Sequence, residues 1–426
     1  MKRTLLAAFV ASMGIGPVLA ADPATIDWSK VAVKDVLLLY PGQSSYEWLR
    51  SPAHKAADAQ TLKGDACTSC HDDADDIKND GEKISKGNVL EPVPVKGKNG
   101  WVDLKVQAAY DDRNAYLRFQ WKTQRNAAGI EYPYYRFDGK EWKIHGFPKL
   151  DQVVREGKQP GIYEDRLSLL LDDGKVPGFA QQGCWLTCHD GQRDMQKTGS
   201  GADARKFINR ADVRKYLPAS RNDPTDWRTV KTPEELAKLK SEGMFLDLIQ
   251  WRAHRSNPVG ASDDGYVLDF RSSDAGKNPF ASNLDDKTRQ PRYMYDASKF
   301  GAKAVTQSQV PGKGNFLILG DNAVPFDPNA GWKEGDMVPR YFLQAPTGSA
   351  GDNKGAGTWK DGVWTVVMTR PLNLANGDDK ALKPGGVYSV GFAVHDENIT
   401  TRGHFVSFPL TLGLGAKADI EAVKLP

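Results

Sequence analysis

The chain has 426 residues, of which 40% are hydrophobic, so it is long enough to bury a sizeable core. Its 57 basic and 54 acidic residues leave a formal net charge of +3, which argues against nucleic acid or an anionic membrane as a partner. Beyond the N-terminus, no stretch approaches the roughly eighteen apolar residues that a membrane-spanning helix needs.

The N-terminus has the parts of a secretory signal peptide. Basic Lys2 and Arg3 precede an apolar run over residues 5–19, and small residues follow at Ala20 and Ala21. We therefore predict a signal peptide over residues 1–20 and a mature protein that is soluble, periplasmic and without a membrane span.

The next segment, residues 21–99, contains Cys67-Thr-Ser-Cys70-His71. This spacing is typical of c-type haem attachment. Two thiols add to the haem vinyl groups while the adjacent imidazole of His71 binds the iron, so all three side chains must project from one tight turn. His54, shortly upstream, is the candidate distal axial ligand. A solvated loop histidine is the alternative for His54.

From residue 101 the pattern changes to that of β-strands. Apolar and polar residues alternate over 101–110 and again over 117–122, which predicts a hairpin. Asp138-Gly139 and Asp361-Gly362 each lie between aromatic-rich runs and predict two further tight turns. Other strand-like runs occupy residues 36–40, 166–171, 316–319, 341–344, 388–394 and 405–412.

Helix is predicted only in the middle of the chain. Thr232 and Glu235 form a capping box that opens a helix closed by Gly243, and a second helix is expected over residues 203–217. Acidic runs at residues 72–76 and 263–264 are interpreted as solvated loops.

A second cysteine pair lies in the same middle region, as Cys184-Trp-Leu-Thr-Cys188-His189. Its spacer is one residue longer, but histidine again follows the second thiol directly, which favours a second haem c. Two alternatives exist for the four cysteines: one four-thiolate zinc site or two disulfides. Neither explains why histidine, used seven times in the chain, follows both pairs.

The distal ligand of the second haem has several candidates. His254 is favoured, because Arg252 and Arg255 beside it could pair with haem propionates. Met195 and His404 are the alternatives.

The most economical architecture is mainly β, a β-sandwich with haem-bearing loop and helical insertions. Its strands come from both ends of the chain, and the sandwich domain spans residues 100–426. The first haem lies in the segment before it, and the second lies in an insertion at about 172–258.

Several stretches point to a known family. They are Arg166-Leu-Ser-Leu-Leu-Leu-Asp-Asp, Trp251-Arg-Ala-His-Arg, Gly391-Phe-Ala-Val-His-Asp and Ser407-Phe-Pro-Leu-Thr-Leu, with the cysteine pair before His189. Over about 101–413 the chain resembles the ethylbenzene dehydrogenase haem-binding-subunit family, in a c-type dihaem branch. The resemblance implies a β-sandwich that holds haem at strand ends and exchanges electrons with a redox enzyme. The family's best-known members hold a b-type haem between methionine and lysine, a ligation that this chain does not reproduce.

Together these features predict an exported dihaem c-type cytochrome with two haem c groups and no catalytic residues. It would carry single electrons between periplasmic or membrane redox proteins, as a free carrier or as a subunit of a redox complex. The alternative is a haem enzyme or small-ligand-binding haem protein with one open iron position.

Overall fold

A computed structural model describes residues 22–149, 151–193, 195, 197–374, 376–396 and 403–426. The predicted signal peptide lies outside this range. Among the described helices, none has the length and apolar character needed to cross a membrane.

Twenty strands account for most of the regular structure of the described residues. They are β1 Lys34–Leu39, β2 Trp101–Tyr110, β3 Asn114–Lys122, β4 Tyr134–Phe137, β5 Trp142–His145, β6 Arg166–Asp172, β7 Leu246–Arg252, β8 Asp263–Val267, β9 Arg271–Ser273, β10 Phe280–Ser282, β11 Tyr293–Tyr295, β12 Ala323–Pro325, β13 Met337–Pro339, β14 Tyr341–Leu343, β15 Lys354–Lys360, β16 Val363–Pro371, β17 Val387–His395, β18 His404–Ser407, β19 Leu410–Leu414 and β20 Ile420–Lys424.

Thirteen of these strands form one sheet. Its order is β15-β16-β3-β2-β1-β18-β17-β6-β7-β8-β9, and β19 and β20 branch from it. Because β20 pairs in parallel with both β19 and β2, six strands (β2, β1, β18, β17, β19, β20) close into a ring. The sheet therefore joins the two ends of the chain, and the predicted mainly β fold is confirmed.

The main core lies between the two halves of this sheet. Phe119 of β3 and Phe392 of β17 are not on neighbouring strands, yet their ring centroids are 5.6 Å apart. Trp121 and Trp251 likewise meet at 6.1 Å. The inward residues alternate along strands such as β2, β3 and β6.

Strands β6 and β7 are buried along their whole length, so their outer faces are covered as well. Leu167, Leu169 and Leu171 point into the main core, whereas Ser168 and Leu170 point to a second cluster or cavity outside it. β7 lies within the predicted insertion at 172–258 and belongs to the main sheet.

The helices are short. They are α1 Tyr46–Leu49, α2 Asp58–Lys63, α3 Ala74–Ser85, α4 Gln152–Arg155, α5 Phe179–Gln182, α6 Gly201–Ile208, α7 Pro233–Ser241 and α8 Ala297–Phe300. Turns of 3-10 helix occur at Pro23–Thr25, Trp28–Lys30, Pro52–Ala57, Cys67–Ser69, Gly183–Thr187, Pro218–Ser220, Asn257–Val259, Gln307–Gln309 and Ser349–Gly351.

Some predictions of local secondary structure are confirmed and others are wrong. The hairpins β2–β3, β4–β5 and β15–β16 and the capping box of α7 are confirmed. The predicted strand at 316–319 is wrong, since only isolated bridges form there. The run at 405–412 is two strands, separated at Phe408 and Pro409. Confinement of helix to the middle is also wrong, because α3 follows the first cysteine pair.

Candidate functional site

The first cysteine pair opens into a cavity of about 410 Å³, a volume typical of ligand pockets. A single 3-10 turn shapes the motif, because the backbone N–H groups of Cys70 and His71 both donate to the Cys67 carbonyl, at 3.2 and 3.0 Å. As a result Cys67, Cys70 and His71 all line the cavity. All three side chains of the motif therefore face one cavity.

His54 lines the same cavity. Its Nδ1 lies 3.0 Å from the Leu49 carbonyl oxygen, so Nε2 is the nitrogen left to bind a ligand. Just after His54, Lys55 adopts φ 52° and interrupts the helical turn. The structure therefore brings His54 and His71 to one cavity, 17 positions apart in the sequence.

The environment of His71 keeps its imidazole neutral. Burial lowers its pKa, the carboxylate of Asp80 raises it, and proximity to His54 lowers it further. Asp80 Oδ2 lies 3.7 Å from His71 Nδ1, on the ring edge opposite Nε2. Neutral imidazole with a carboxylate behind it is the usual state of a metal ligand.

The second cysteine pair lies against the outer face of strands β17, β6 and β7. Cys184 and Cys188 line a smaller cavity of about 130 Å³. Gly391 of β17 makes room for Cys184, since a Cβ at that position would lie 2.9 Å from its sulfur. The 3-10 turn Gly183–Thr187 accommodates the longer spacer.

His189 is completely buried, but it is not among the described residues that line this cavity. Its Nδ1 lies 2.8 Å from Glu47 Oε1, and Tyr216 stacks on the ring at 3.7 Å. Its Nε2 is buried and has no hydrogen-bond partner among the described residues. A buried, unpartnered imidazole nitrogen is costly unless it binds something, which fits an iron ligand.

Positive charge surrounds the second cavity. Its lining includes Arg166, Arg193, Arg214, Lys215 and Arg271, and no aspartate or glutamate of the described residues joins them. Burial and the neighbouring arginines lower the pKa of Arg271 well below its usual range, and burial lowers the pKa of Arg166 to about 10. The cavity therefore favours an anionic group, such as the two carboxylates of a haem.

The candidate distal ligands of the second site lie in different places. His404 and Met195 line the cavity with the cysteines. His254 does not line it: its ring packs on Phe316 at 5.1 Å, and its Nδ1 lies 3.1 Å from the Ile130 carbonyl. Burial lowers the pKa of His254 to about 4, so its imidazole is neutral.

The arginines beside His254 are also occupied. Arg252 Nε donates to Asp263 at 2.7 Å, and Arg255 Nε donates to Glu164 at 2.5 Å. The propionate argument that favoured His254 thus applies better to the cations around the cavity.

His395 is not among the candidate ligands from the sequence, yet it lines the second cavity beside His404. The two residues pair across β17 and β18, with ring centroids 5.2 Å apart. Arg166 Nη2 lies 2.8 Å from His395 Nε2. The signal was present in the alternation of β17, where Gly391, Ala393 and His395 share the cavity face.

Helix α1 connects the two sites. At its start, the Tyr46 N–H donates to the Cys188 carbonyl at 2.5 Å, and Glu47 accepts from both His189 and the Asp190 N–H. At its end, the Leu49 carbonyl contacts His54. One turn of helix therefore orients a histidine of each site.

An aromatic stack forms a second connection. Phe408 stacks on His71 at 5.1 Å and on Trp185 at 5.0 Å. Trp185 belongs to the second cysteine motif, and its indole donates to Ser44 at 3.0 Å. The two cavities also share Pro41 and Ser44 in their walls, so they are neighbours.

The two cysteine pairs line different cavities, so the four thiols do not form one cluster in this structure. Within the described residues, the side-chain clusters able to hold a metal ion consist of aspartates alone.

The sequence profile of a family described as ethylbenzene dehydrogenase matches residues 45–407. The chain belongs to the ethylbenzene dehydrogenase family. The match begins upstream of the likeness recognised from the motifs, 101–413, and it includes both cysteine motifs.

Two curated relatives carry cytochrome names. Cytochrome c-552 of Stutzerimonas stutzeri is 27% identical over an alignment of 431 positions that covers 100% of both chains. Cytochrome c-551 of Rhodocyclus tenuis is 24% identical over 211 positions, which cover 49% of this chain and 70% of the relative.

Proposed function

We propose that this family member is an exported c-type cytochrome that holds two covalent haems and carries single electrons between periplasmic or membrane redox proteins. One observation carries the proposal: each Cys-to-His motif has its thiols on a separate cavity, and the two cavities adjoin. The cytochrome names of the two relatives support it. The signal-like N-terminus supports export.

At the first site, Cys67 and Cys70 attach the haem, and His71 and His54 are its axial ligands. In both histidines Nδ1 faces a backbone or carboxylate oxygen, which fixes the ring and leaves Nε2 for iron. The cavity volume of about 410 Å³ suits a large planar ligand.

At the second site, Cys184 and Cys188 attach the haem and His189 is the proximal ligand. The donor set fits, since Nε2 of His189 is unpartnered and cations surround the cavity. The cavity of about 130 Å³ is small, so Tyr216 and neighbouring side chains must move when the group is bound.

For the second distal ligand we propose His404 in place of His254. His404 lines the cavity that holds both thiols, whereas His254 packs among Tyr132, Phe316 and Glu164. Met195 also lines the cavity and is the next candidate.

Haem bound in this way supplies reversible one-electron chemistry, and the axial ligands and their surroundings set its potential. The protein's own residues orient the imidazoles, neutralise the propionates and exclude water. Two protein ligands on each iron favour electron transfer over catalysis at an open iron position. This assignment makes the chain a carrier without catalytic residues.

The deciding experiment combines mass spectrometry of the denatured mature protein with EPR of the intact holoprotein. We expect a mass increase of two haems and two low-spin ferric signals. A single haem would overturn the dihaem proposal. A high-spin signal that disappears on adding cyanide would instead support the enzyme or ligand-binding alternative.

Alanine variants identify the distal ligands. His54→Ala should convert one low-spin signal to high spin while covalent haem content stays at two, and His404→Ala should do so for the other. Met195→Ala and His254→Ala are the matched variants for the second site. A high-spin signal from either of these, with none from His404→Ala, would exclude His404.

A further inference from the structure

A cluster of buried carboxylates lies apart from both cavities, where three loops meet. Asp274 follows β9, whereas Asp378 and Asp379 lie between β16 and β17. One carboxylate oxygen of each lies within 4.8 Å of the others. Their exposures are 5%, 7% and 7%, so water does little to screen the mutual repulsion.

A neighbouring group of three aspartates differs from this cluster, because a cation lies within it. Asp247, Asp264 and Asp379 also converge, and Arg370 reaches into that group, contacting Asp247 and, at 3.4 Å, Asp379. Lys380 points away, to Asp172 and Asp173. Arg370 therefore pairs with two members of this triad, and it reaches the cluster of Asp274, Asp378 and Asp379 through the shared Asp379.

The triad of Asp274, Asp378 and Asp379 has no such cation at its other two members. Within the described residues, no lysine or arginine forms an ion pair with Asp274 or Asp378. Both carboxylate oxygens of Asp274 are buried without a hydrogen-bond donor. A charged group left in this state costs several kcal/mol unless a cation or a proton joins it.

Hydrogen-bond donors of the neighbouring loops contact the carboxylates of Asp378 and Asp379. Ser349 Oγ lies 2.8 Å from Asp378 Oδ1 and 3.0 Å from Asp379 Oδ2. The Ala275 N–H donates to Asp378 Oδ2 at 3.1 Å, which fixes that carboxylate. Gly276 and Gly348 allow the loops to approach closely, since a Cβ on Gly276 would lie 1.9 Å from the Thr347 carbonyl oxygen.

We propose that Asp274, Asp378 and Asp379 bind a calcium ion. All the candidate ligands are oxygens. Zinc and copper prefer nitrogen and sulfur ligands, so this set of oxygens argues against both metals. Calcium accepts irregular oxygen sets, whereas magnesium demands near-octahedral geometry and retains its water. An open cavity lined by Ala275, Gly276, Gly348 and Asp378 gives the ion access from solvent.

Protons are the natural competitor of the ion. Burial and the carboxylates of Asp378, Asp247 and Asp379 raise the pKa of Asp274 to about 8. A bound divalent cation can neutralise the same charge in place of that proton.

The test uses the purified holoprotein, stripped with EDTA and titrated with CaCl2 by calorimetry, with thermal unfolding in parallel. We expect one ion per chain and a rise in Tm of about 3 °C or more at saturating calcium. Asp274→Asn, which keeps the side-chain shape, should lose both effects. Asp286→Asn is the matched control, since its carboxylate is 96% exposed, and it should retain both.

Absence of binding by wild type up to about 5 mM calcium, beyond the range of extracellular calcium modules, would overturn the proposal. Unchanged binding in Asp274→Asn would also overturn it, because the ion would then lie elsewhere. Should that variant fail to fold, Asp378→Asn answers the same question. Equal affinity for MgCl2 would refute the assignment to calcium.

Discussion

The contact between Glu47 and His189 gives the sharpest prediction about the second site. Burial raises the pKa of Glu47, but the hydrogen bond and charge of His189 outweigh it and lower the pKa overall, so the carboxylate is ionised at neutral pH. Glu47→Gln keeps an oxygen that can accept the Nδ1 hydrogen bond and removes the charge. The substitution thus isolates the electrostatic part of a contact that is 2.8 Å long.

The free energy that Glu47→Gln removes follows from ordinary hydrogen-bond energies. A bond to a charged group contributes about 1.5–3 kcal/mol and a neutral one about 0.5–1.5 kcal/mol, so the change removes roughly 1 kcal/mol. A carboxylate behind an iron-bound imidazole favours the oxidised state. For one electron, tenfold in equilibrium equals about 59 mV, so roughly 1 kcal/mol corresponds to about 40 mV.

We therefore expect the midpoint potential of one haem in Glu47→Gln to rise by about 40 mV. Spectroelectrochemical titration of the holoprotein measures it, and covalent haem content checks that both groups remain attached. Two unchanged potentials, with two haems attached, would refute the idea that Glu47 tunes the ligand His189.

Three further predictions concern packing and pH. Gly391→Ala brings a Cβ to 2.9 Å from the Cys184 sulfur, below the ordinary contact of 3.4 Å; this should cost about 1–3 kcal/mol and lower haem occupancy at the second site, measured by mass. Phe408→Leu removes two stacked contacts, so one EPR signal should broaden and stability should fall by about 1–3 kcal/mol. Burial and Asp396 raise the pKa of Asp165 from 3.8 to about 7. The folded state then holds a proton that the unfolded chain has lost, so stability falls as pH rises from about 4 to 7, by about 4 kcal/mol at most. Asp165→Asn should remove this part of the pH dependence of urea unfolding.

Each of these has an outcome that would contradict it. Full haem occupancy and unchanged Tm in Gly391→Ala would mean that Cys184 has room to shift. An unaltered EPR spectrum in Phe408→Leu would show that the stack does not hold the first site's ring. Parallel pH profiles for wild type and Asp165→Asn would show that Asp165 is ionised throughout.

Local patterns predicted much of this molecule. Alternation over residues 101–122 was enough to predict the hairpin β2–β3. The spacing of Cys67, Cys70 and His71 was enough to predict one tight turn. Both depend on residues close in the chain. His54 shares a cavity with His71 for the same reason.

Long-range register was harder to predict. His395 and His404 face the second cavity because β17 and β18 pair at those positions. Alternation places His395 on one face of β17, but it does not specify which part of the chain that face meets. His254 lies away from that cavity, and the arginines beside it, expected to pair with propionates, pair with Asp263 and Glu164. Asp264, expected in a solvated loop, is buried in β8.

The single helical turn α1 has a consequence for biogenesis. Its start is fixed by the Cys188 and His189 segment, and its end holds His54. On the proposed dihaem assignment, a chain that has acquired only one haem lacks half of the anchoring for this turn, so the first attachment should prepare the binding geometry of the second. Partially matured protein with one haem should accordingly be scarce, and loss of either cysteine pair should disturb the spectrum of the haem that remains.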